Sequence, residues 1–248
     1  VTVNPVGGDT PTNNDDILEG DIDFSGIGNL LFVGAGQDIV NAGPIPETVA
    51  TGSRNRIYGG AGTDELLAGT NDRLFGGSDT DRLIAGNGNN RLFGGPGNDQ
   101  LTIGSGDRAF GNGGDDELHA ILSQGGARLY GGAGDDLFFL GAGDRIVGGD
   151  GNDQIFVGEG GNNLITGGAG ADEFAIANNG VIPAAINTIT DFETGEDFIS
   201  INGLDLSFAN VTLTAQNGDT LVSVLQGDLA VLLEVNPNSL SAANFVFA

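Results

Sequence analysis

The stretch Gly59-Gly60-Ala61-Gly62-Thr63-Asp64-Glu65-Leu66-Leu67 sets a nine-residue phrase that much of the chain repeats. The phrase reads Gly, Gly, any residue, Gly, any residue, Asp, any residue, a large apolar residue, any residue. Its seven copies, the strong turns, begin 17 to 20 residues apart, at Gly59, Gly76, Gly94, Gly111, Gly131, Gly148 and Gly167. Self-similarity at a short and nearly fixed period predicts a solenoid, in which each repeat packs on its neighbours.

Weaker turns, several of them shortened to eight residues, lie between the strong turns; Leu140–Val147 is one of these. One strong and one weaker turn make a coil of 17 residues, and each turn holds a glycine-rich bend and a three-residue strand. Side chains alternate between the two faces of a strand, so the middle residue points inward. The predicted inward column is Leu66, Leu74, Leu83, Leu92, Leu101, Ala109, Leu118, Leu129, Phe138, Ile146, Ile155, Leu164 and Phe174. We therefore expect an all-β chain that forms a parallel β-roll solenoid of two thin sheets.

A core only one residue deep per turn is too thin to hold such a roll by packing alone. Burying a leucine contributes ~1.5–3 kcal/mol, whereas ordering the backbone of each residue costs ~1–2 kcal/mol. One buried leucine therefore does not offset the ordering of a whole turn, and another source of stabilisation is needed. Because the chain has no cysteine, we expect that source to be a metal rather than a disulfide.

The acidic composition argues against some classes of binding partner. The chain has 34 acidic residues against 8 basic ones, all arginine, and a formal net charge of −26. Such a chain repels nucleic acid and stays expanded until cations neutralise it. It also has no run of 18 apolar residues. We therefore expect no nucleic-acid partner and no membrane span.

The nine-residue phrase resembles the calcium-binding nonapeptide of the RTX (repeats-in-toxin) family, and seven copies in tandem make the resemblance specific. Calcium takes roughly six to eight oxygen ligands, and in this family each ion lies between two consecutive turns and takes ligands from both. The resemblance implies carboxylate ligands from Asp64, Asp81, Asp99, Asp116, Asp136, Asp153 and Asp172. It implies carbonyl ligands from the turns that begin at Gly59, Gly76, Gly94, Gly111, Gly131, Gly148 and Gly167. Seven stacked turns leave six gaps, which implies about six ions.

Two strong turns depart from the phrase: Asp79 stands at position four of the second, and Asn112 at position two of the fourth. We expect these departures to distort or weaken the calcium sites there. The weaker turns offer a second column of oxygen ligands with fewer charges, for which we expect lower occupancy. That column is Asp72, Asn90, Asp107, Asp144 and Asn162, with Arg128 near the expected position in an irregular turn.

A second pattern follows the weaker turns. Position seven is arginine at Arg56, Arg73, Arg91, Arg108, Arg128 and Arg145, and position nine is aromatic at Tyr58, Phe75, Phe93, Phe110 and Tyr130. Both positions flank an inward residue, so an arginine row and an aromatic row should face outward, with coils ~4.7–4.9 Å apart. In one interpretation each arginine pairs with nearby acidic residues while the aromatic side chains shield the sheet. In the other, the rows form a docking face for an acidic polysaccharide or for the acidic side of another copy.

The chain divides into three segments. Residues 1–13 are predicted to be a flexible lead-in, and residues 14–180 the calcium-binding β-roll with a loop insertion at 41–52. Residues 181–248 are predicted to form a β cap, because Asn217-Gly218 between two apolar runs signals a hairpin and an open solenoid end needs covering. This last segment also resembles the C-terminal region of RTX proteins, which implies an uncleaved signal for type I secretion.

These patterns favour a secreted, non-enzymatic protein that folds on binding calcium outside the cell and acts as a structural, surface-layer or self-assembling subunit. His119 is the only histidine, and without cysteine it supports neither a catalytic triad nor a zinc site. Two alternatives stay open: the C-terminal module of a larger toxin, protease or lipase, or an adhesin that binds acidic glycans through the two rows. Ice binding is disfavoured, because the outward positions carry Arg, Phe and Glu instead of regular Thr or Asn.

Overall fold

Residues 17–18, 30–35, 39–41, 54–86 and 88–248 are described by the structure, a computed structural model. They belong to two units, Val1–His119 and Ala120–Ala248. The predicted lead-in at 1–13 and nearly all of the predicted loop insertion at 41–52 lie outside the described residues. No helix in the described ranges combines the length and the apolar character needed to cross a membrane.

The Val1–His119 unit builds two parallel sheets from strands that alternate between them. In chain order the strands are β1 (Ile17–Leu18), β2 (Leu30–Ala35), β3 (Ile39–Asn41), β4 (Arg56–Ala61), β5 (Glu65–Leu67), β6 (Arg73–Ser78), β7 (Arg82–Ile84), β8 (Arg91–Pro96), β9 (Gln100–Thr102), β10 (Arg108–Gly113) and β11 (Glu117–His119). Odd-numbered strands form one sheet and even-numbered strands the other, each pairing in parallel with the next strand of its sheet. Equivalent residues of successive coils therefore lie side by side.

The Ala120–Ala248 unit continues the same alternation and then departs from it. Its strands are β12 (Arg128–Ala133), β13 (Leu137–Phe139), β14 (Arg145–Asp150), β15 (Gln154–Phe156), β16 (Leu164–Ala169), β17 (Glu173–Ala177), β18 (Asn187–Ile189), β19 (Phe198–Ile201), β20 (Thr212–Gln216), β21 (Asp219–Val224), β22 (Gly227–Leu232) and β23 (Phe245–Phe247). β13, β15, β17, β19 and β23 form one parallel sheet. β12, β14, β16, β18 and β22 form the other, which β21 and β20 extend in antiparallel fashion. Short 3-10 helices occupy Phe208–Asn210, Pro237–Ser239 and Ala242–Asn244.

The inward column lies in the interior of both units. The predicted side chain is buried at twelve of the thirteen positions. Leu164 is the exception, because it is 37% exposed and Ile165 points inward in its place. The prediction is wrong here because it takes the first of two adjacent apolar residues of equal size. Backbone pairing decides the register instead, since Arg145 aligns with Leu164 and Ile146 with Ile165.

The C-terminal strands include the predicted antiparallel hairpin. Asn217-Gly218 joins β20 to β21, and its φ angles of 52° and 104° fit a two-residue type I′ turn. β22 then pairs in parallel with β18, and β23, which holds the apolar end of the chain, pairs in parallel with β19. The predicted all-β fold, a parallel β-roll with a C-terminal antiparallel β cap, is confirmed.

Candidate metal sites

The aspartate at position six of every strong turn is buried. Each side chain is no more than 2% exposed, and we name the set the position-six column: Asp64, Asp81, Asp99, Asp116, Asp136, Asp153 and Asp172. Each follows a glycine-rich bend and precedes a strand of the roll, so the strand pairing fixes its place in the stack. A buried carboxylate is costly unless a cation or hydrogen-bond donors compensate its charge.

One carboxylate oxygen of these residues is held by the backbone of the preceding coil. Asp81 Oδ1 accepts a hydrogen bond from Asp64 N at 2.8 Å, and Asp99 Oδ1 accepts one from Asp81 N at 2.8 Å. In the second unit, Asp153 Oδ1 accepts from Asp136 N at 2.8 Å. The same bond links Asp116 to Asp99 N and Asp172 to Asp153 N. Neighbouring carboxylates are thereby fixed one coil apart.

The second carboxylate oxygen lacks such a donor. The Oδ2 atoms of Asp81, Asp99, Asp153 and Asp172 are buried and have no hydrogen-bond partner among the described residues. A buried polar atom without a partner costs roughly 1–3 kcal/mol, and more when it is charged. Atoms of this kind in a native protein indicate a bound ion or water.

Glycine at position one leaves the space beside this oxygen open. A Cβ on Gly76 would overlap Asp81 Oδ2 and would lie 2.7 Å from the carbonyl oxygen of Gly94 in the next coil. A carboxylate oxygen and a carbonyl oxygen therefore converge where a side chain would otherwise stand. The same arrangement recurs at Gly59, Gly131 and Gly148. Such a cluster of oxygen atoms suits calcium, and it explains why position one is glycine.

Positions two and four require a backbone conformation that most residues avoid. Gly77 has a φ of 132°, and a Cβ there would overlap the carbonyl oxygen of Gly60 in the preceding coil. The two departures from the phrase, Asp79 and Asn112, have φ angles of 79° and 82°. Asn and Asp tolerate positive φ better than other non-glycine residues. The bends therefore accommodate both substitutions with a positive φ.

Two acidic residues of the weaker turns, Asp72 and Asp107, are held differently, because both of their carboxylate oxygens accept hydrogen bonds. The third, Asp144, has an Oδ2 atom that is buried without a hydrogen-bond partner among the described residues. Asp72 Oδ1 accepts from Asn55 N at 2.8 Å, and Asp72 Oδ2 accepts from Gly69 N at 2.7 Å. Asp107 repeats the pattern, with bonds of 2.6 and 2.9 Å from one backbone N–H of the preceding coil and one three residues earlier. The carboxylates of Asp72 and Asp107 are therefore satisfied without a metal ion.

The observed weaker-turn column is Asn55, Asp72, Asn90, Asp107, Asp144, Asn163 and Asn187, all of them buried. Asn163 Oδ1 accepts from Asp144 N at 2.8 Å, whereas Asn162 is exposed. The prediction of Asn162 is wrong for the same reason as that of Leu164, a register taken one residue early. In the irregular turn, Ala127, next to Arg128, occupies the equivalent position of the weaker-turn column. Its N–H donates to Asp144 Oδ1 at 3.1 Å.

Sequence reasoning missed Asn55 and Asn187 in this column. Each of them stands two residues before a buried isoleucine, as Asp72 stands two residues before Leu74. That spacing is the signal that identifies both.

The end of the roll has two further carboxylates that the prediction missed. Asp197 Oδ1 accepts from Asp172 N at 3.0 Å and its Oδ2 from Glu193 N at 2.7 Å. The two oxygens of Asp191 accept from Gly167 N and from the next backbone N–H, both at 3.0 Å. Backbone donors thus satisfy the last carboxylates of the stack. The sequence signal for Asp197 is its place two residues before the buried Ile199, as Asp172 stands two residues before Phe174.

Burial raises the pKa values of four aspartates of the position-six column. Burial, reinforced by neighbouring carboxylates, raises the pKa of Asp81, Asp153 and Asp172 to about 7. Burial also raises the pKa of Asp99 to about 6. Hydrogen bonds from the preceding coil lower these pKa values by a smaller amount. A bound cation would favour the charged form of these groups and so counteract the effect of burial.

Side chains alone do not form a metal cluster in the described ranges. There, no three Asp, Glu, His or Cys side chains come together around one point. Backbone carbonyl oxygens must therefore supply most of the ligands beside each carboxylate. A donor set of carbonyl and carboxylate oxygens suits calcium, whereas zinc favours histidine and cysteine.

The arginine and aromatic rows lie in register, as predicted. Strand pairing aligns the arginines of the first unit, Arg56, Arg73, Arg91 and Arg108, and those of the second, Arg128 and Arg145. Four aromatic rings of the first unit stack with centroids 4.4, 4.9 and 4.8 Å apart and planes within 5° of parallel: Tyr58, Phe75, Phe93 and Phe110. In the second unit Tyr130 aligns with Val147 instead of an aromatic residue.

The arginine row has no acidic partners in the described part of the chain. There, none of its six guanidinium groups lies within 4.0 Å of a carboxylate oxygen. By contrast, Arg82 of β7, on the other sheet, pairs with Glu65 at 2.6 Å. The interpretation in which each arginine of the row pairs with nearby acidic residues is therefore wrong for the described residues.

Four segments of the chain match the family model of the RTX calcium-binding nonapeptide repeat: residues 49–72, 68–101, 128–146 and 154–175. Together with the parallel β-roll, these matched repeats support an assignment to the RTX β-roll family. None of the curated proteins matches the chain significantly.

Two solved structures illustrate the likeness. One is the AlgE6R3 subunit of the mannuronan C5-epimerase from Azotobacter vinelandii, with 20% identity, a TM-score of 0.23, and coverage of 74% of this chain and 80% of that chain. The other is the extracellular lipase LipA from Serratia marcescens, with 16% identity, a TM-score of 0.21, and coverage of 86% of this chain and 40% of that chain. At these values neither likeness carries a functional argument.

Proposed function

We propose that this chain is an extracellular β-roll that folds on binding calcium along the position-six column. The observation that carries the proposal is the set of buried Oδ2 atoms without a hydrogen-bond partner, exemplified by Asp81 and Asp153. Beside the Oδ2 atoms of Asp81 and Asp153, Gly76 and Gly148 leave room for the carbonyl oxygen of the next coil. The matched RTX repeats support calcium as the ligand.

The proposed ligands come from consecutive strong turns within each unit. In the first unit these turns begin at Gly59, Gly76, Gly94 and Gly111, and in the second at Gly131, Gly148 and Gly167. Position-six carboxylates and glycine-turn carbonyl groups would hold each ion. When bound, calcium supplies the positive charge that the buried carboxylates lack. The weaker turns of Asp72 and Asp107 take no calcium in this proposal, because backbone donors occupy both carboxylate oxygens of these two residues.

Calcium binding and folding are coupled in this account. The metal-free chain has a net charge of −26 and leaves the Oδ2 atoms of its buried carboxylates uncompensated, so it stays expanded where free calcium is low. Extracellular calcium modules work at dissociation constants of roughly 10⁻⁴–10⁻³ M. We infer export by type I secretion through residues 181–248, followed by folding outside the cell. The role we propose is structural, as a subunit of a surface layer or other extracellular assembly.

Light scattering during a calcium titration of the chelator-treated protein tests this function. We expect the hydrodynamic radius to fall as calcium is added, with a parallel gain of β signal in circular dichroism. A constant mass would indicate a monomeric module, and a rising mass an assembling subunit. A radius and a β signal that do not respond to calcium would refute calcium-coupled folding.

A further inference from the structure

The arginine row of the first unit concentrates positive charge on an otherwise acidic protein. Arg56, Arg73, Arg91 and Arg108 lie one coil apart on one sheet. Strands of a sheet are ~4.8 Å apart, and like charges at that distance repel one another. The chain has 34 acidic residues that could neutralise the positive charge of this row. Within the described residues no carboxylate oxygen lies within 4.0 Å of these guanidinium groups, so they are available to an external anion.

The first three arginines of this row also line a surface depression of about 480 Å³, together with Arg54. Its volume lies within the usual range of ligand pockets, ~300–1,000 Å³. The amides of Asn71 and Asn89 contribute further polar groups to its wall. The one acidic residue of the wall is Asp72, which is buried with both oxygens bonded to backbone N–H groups. The accessible lining is therefore cationic and polar.

Arg54 reaches this depression from an unfavourable backbone conformation. Its φ is 65°, in the left-handed region, where the equivalent residues of other coils include Asn71, Gly106 and Gly143. An arginine in this conformation costs roughly 1–2 kcal/mol relative to a right-handed one. Strain of this kind concentrates at functional sites. The position places a fourth guanidinium beside the row where an asparagine or glycine would be easier to accommodate.

The aromatic row next to the arginines also favours an anionic ligand over a neutral sugar. Phe75 and Phe93 are stacked on both sides by their neighbours, so their ring faces are covered and their edges face outward. Ring edges carry the positive part of the aromatic quadrupole. Sugars therefore have no exposed ring face to stack on at these two residues, and binding must depend on charge.

We propose that this surface, the arginine groove (Arg54, Arg56, Arg73 and Arg91), binds a linear anionic polysaccharide that runs along the stack of coils. Guanidinium groups bind carboxylates and sulfates through paired N–H donors. One arginine per coil, continued to Arg108, matches a chain of repeated anionic groups better than a single small anion. A second copy of the protein fits the groove less well, because two bodies of net charge −26 repel each other. This binding goes beyond the calcium-dependent folding proposed above.

Fluorescence anisotropy with labelled oligogalacturonates of one to eight units, in calcium that keeps the roll folded, tests the groove. We expect affinity to rise with chain length and to fall with added salt. The double variant Arg73→Ser/Arg91→Ser should bind the octamer about tenfold more weakly, the loss expected for two exposed charge pairs. The control is Arg82→Ser, which removes one positive charge from the other sheet, as each single substitution of the double variant does from the groove, and it should bind like the parent. Arg91→Lys should fall between the parent and the double variant.

Several outcomes would overturn the proposal. These are equal losses in the double variant and in Arg82→Ser, equal binding of neutral dextran, or binding of a single galacturonate as tight as that of the octamer. Unchanged binding by the double variant would place the polysaccharide on bound calcium instead. A mass that rises without polysaccharide and falls in the double variant would assign the groove to a second copy. Circular dichroism in calcium checks the fold of every variant, so a failure of calcium-dependent folding is seen separately.

Discussion

Asp99 and Asp107 are both buried aspartates, but only Asp107 has hydrogen-bond donors for both carboxylate oxygens. In Asp99→Asn the amide oxygen can still accept from Asp81 N, while the charge is lost. We expect the calcium affinity of the neighbouring gap to fall about tenfold, because ligand charge tunes such sites. Because folding is coupled to calcium binding, the same variant should also need more calcium than the parent to fold. Calcium calorimetry and calcium-dependent circular dichroism measure the two effects.

The matched control for this variant is Asp107→Asn. Its amide cannot accept from both Asn90 N and Gly104 N, so it should lose about 1–2 kcal/mol of stability in excess calcium. Its calcium affinity should stay that of the parent. If the two variants weakened calcium binding equally, the assignment of calcium to the position-six column alone would be wrong.

Substitutions of Gly148 and Gly104 compare a glycine that the metal site requires with a glycine of an ordinary turn. A Cβ on Gly148 would overlap Asp153 Oδ2 and the carbonyl oxygen of Gly167. A Cβ on Gly104 would find only Asp107 Oδ2, at 3.6 Å, an ordinary contact. Gly148→Ala should therefore lose calcium binding at its gap. The variant should need a higher calcium concentration than the parent to stay folded. Gly104→Ala should stay within about 0.5 kcal/mol of the parent. Calcium-dependent circular dichroism distinguishes them, and equal behaviour would show that the oxygens do not converge at Gly148.

Among the elements, the short strands of the roll were predictable because each repeats a phrase whose glycines and inward residue have separate physical reasons. The lack of a hydrogen-bond donor for the Oδ2 atoms of position six was not predictable from the sequence. Position six has the same residue type as Asp72 and Asp107 of the weaker turns. Only the structure shows that backbone N–H groups bind both oxygens of Asp72 and Asp107 but leave the Oδ2 atoms of residues such as Asp99 without a donor. The shift at Asn162 and Leu164 has a similar origin, since backbone pairing decides between adjacent residues of similar character.

The last strand, β23, makes the apolar end of the chain part of the second unit. Phe245 is buried, and its ring centroid lies 5.2 Å from that of Phe208, whereas Val246 beside it is 44% exposed. We expect Phe245→Ala to destabilise the calcium-bound protein by about 3–5 kcal/mol, as is usual for a buried phenylalanine. Val246→Ala should change stability by no more than about 0.5 kcal/mol. Urea unfolding in excess calcium measures both, and similar losses would mean that β23 adds little to the packing of this unit.

For the whole molecule, a net charge of −26 raises the question whether calcium acts by screening or by binding at defined sites. Screening depends on ionic strength, so magnesium at the same concentration should replace calcium if screening were sufficient. The buried Oδ2 atoms argue against folding by screening alone. A cation must reach these atoms within the stack, where backbone carbonyl oxygens lie beside them. Magnesium demands near-octahedral geometry and gives up its water reluctantly, so it suits such a site poorly. We expect calcium to lower the hydrodynamic radius of the chelator-treated chain, and magnesium or sodium chloride of equal ionic strength to leave it expanded. Compaction by all three salts would show that general charge neutralisation folds the roll and that the position-six column is not a calcium site.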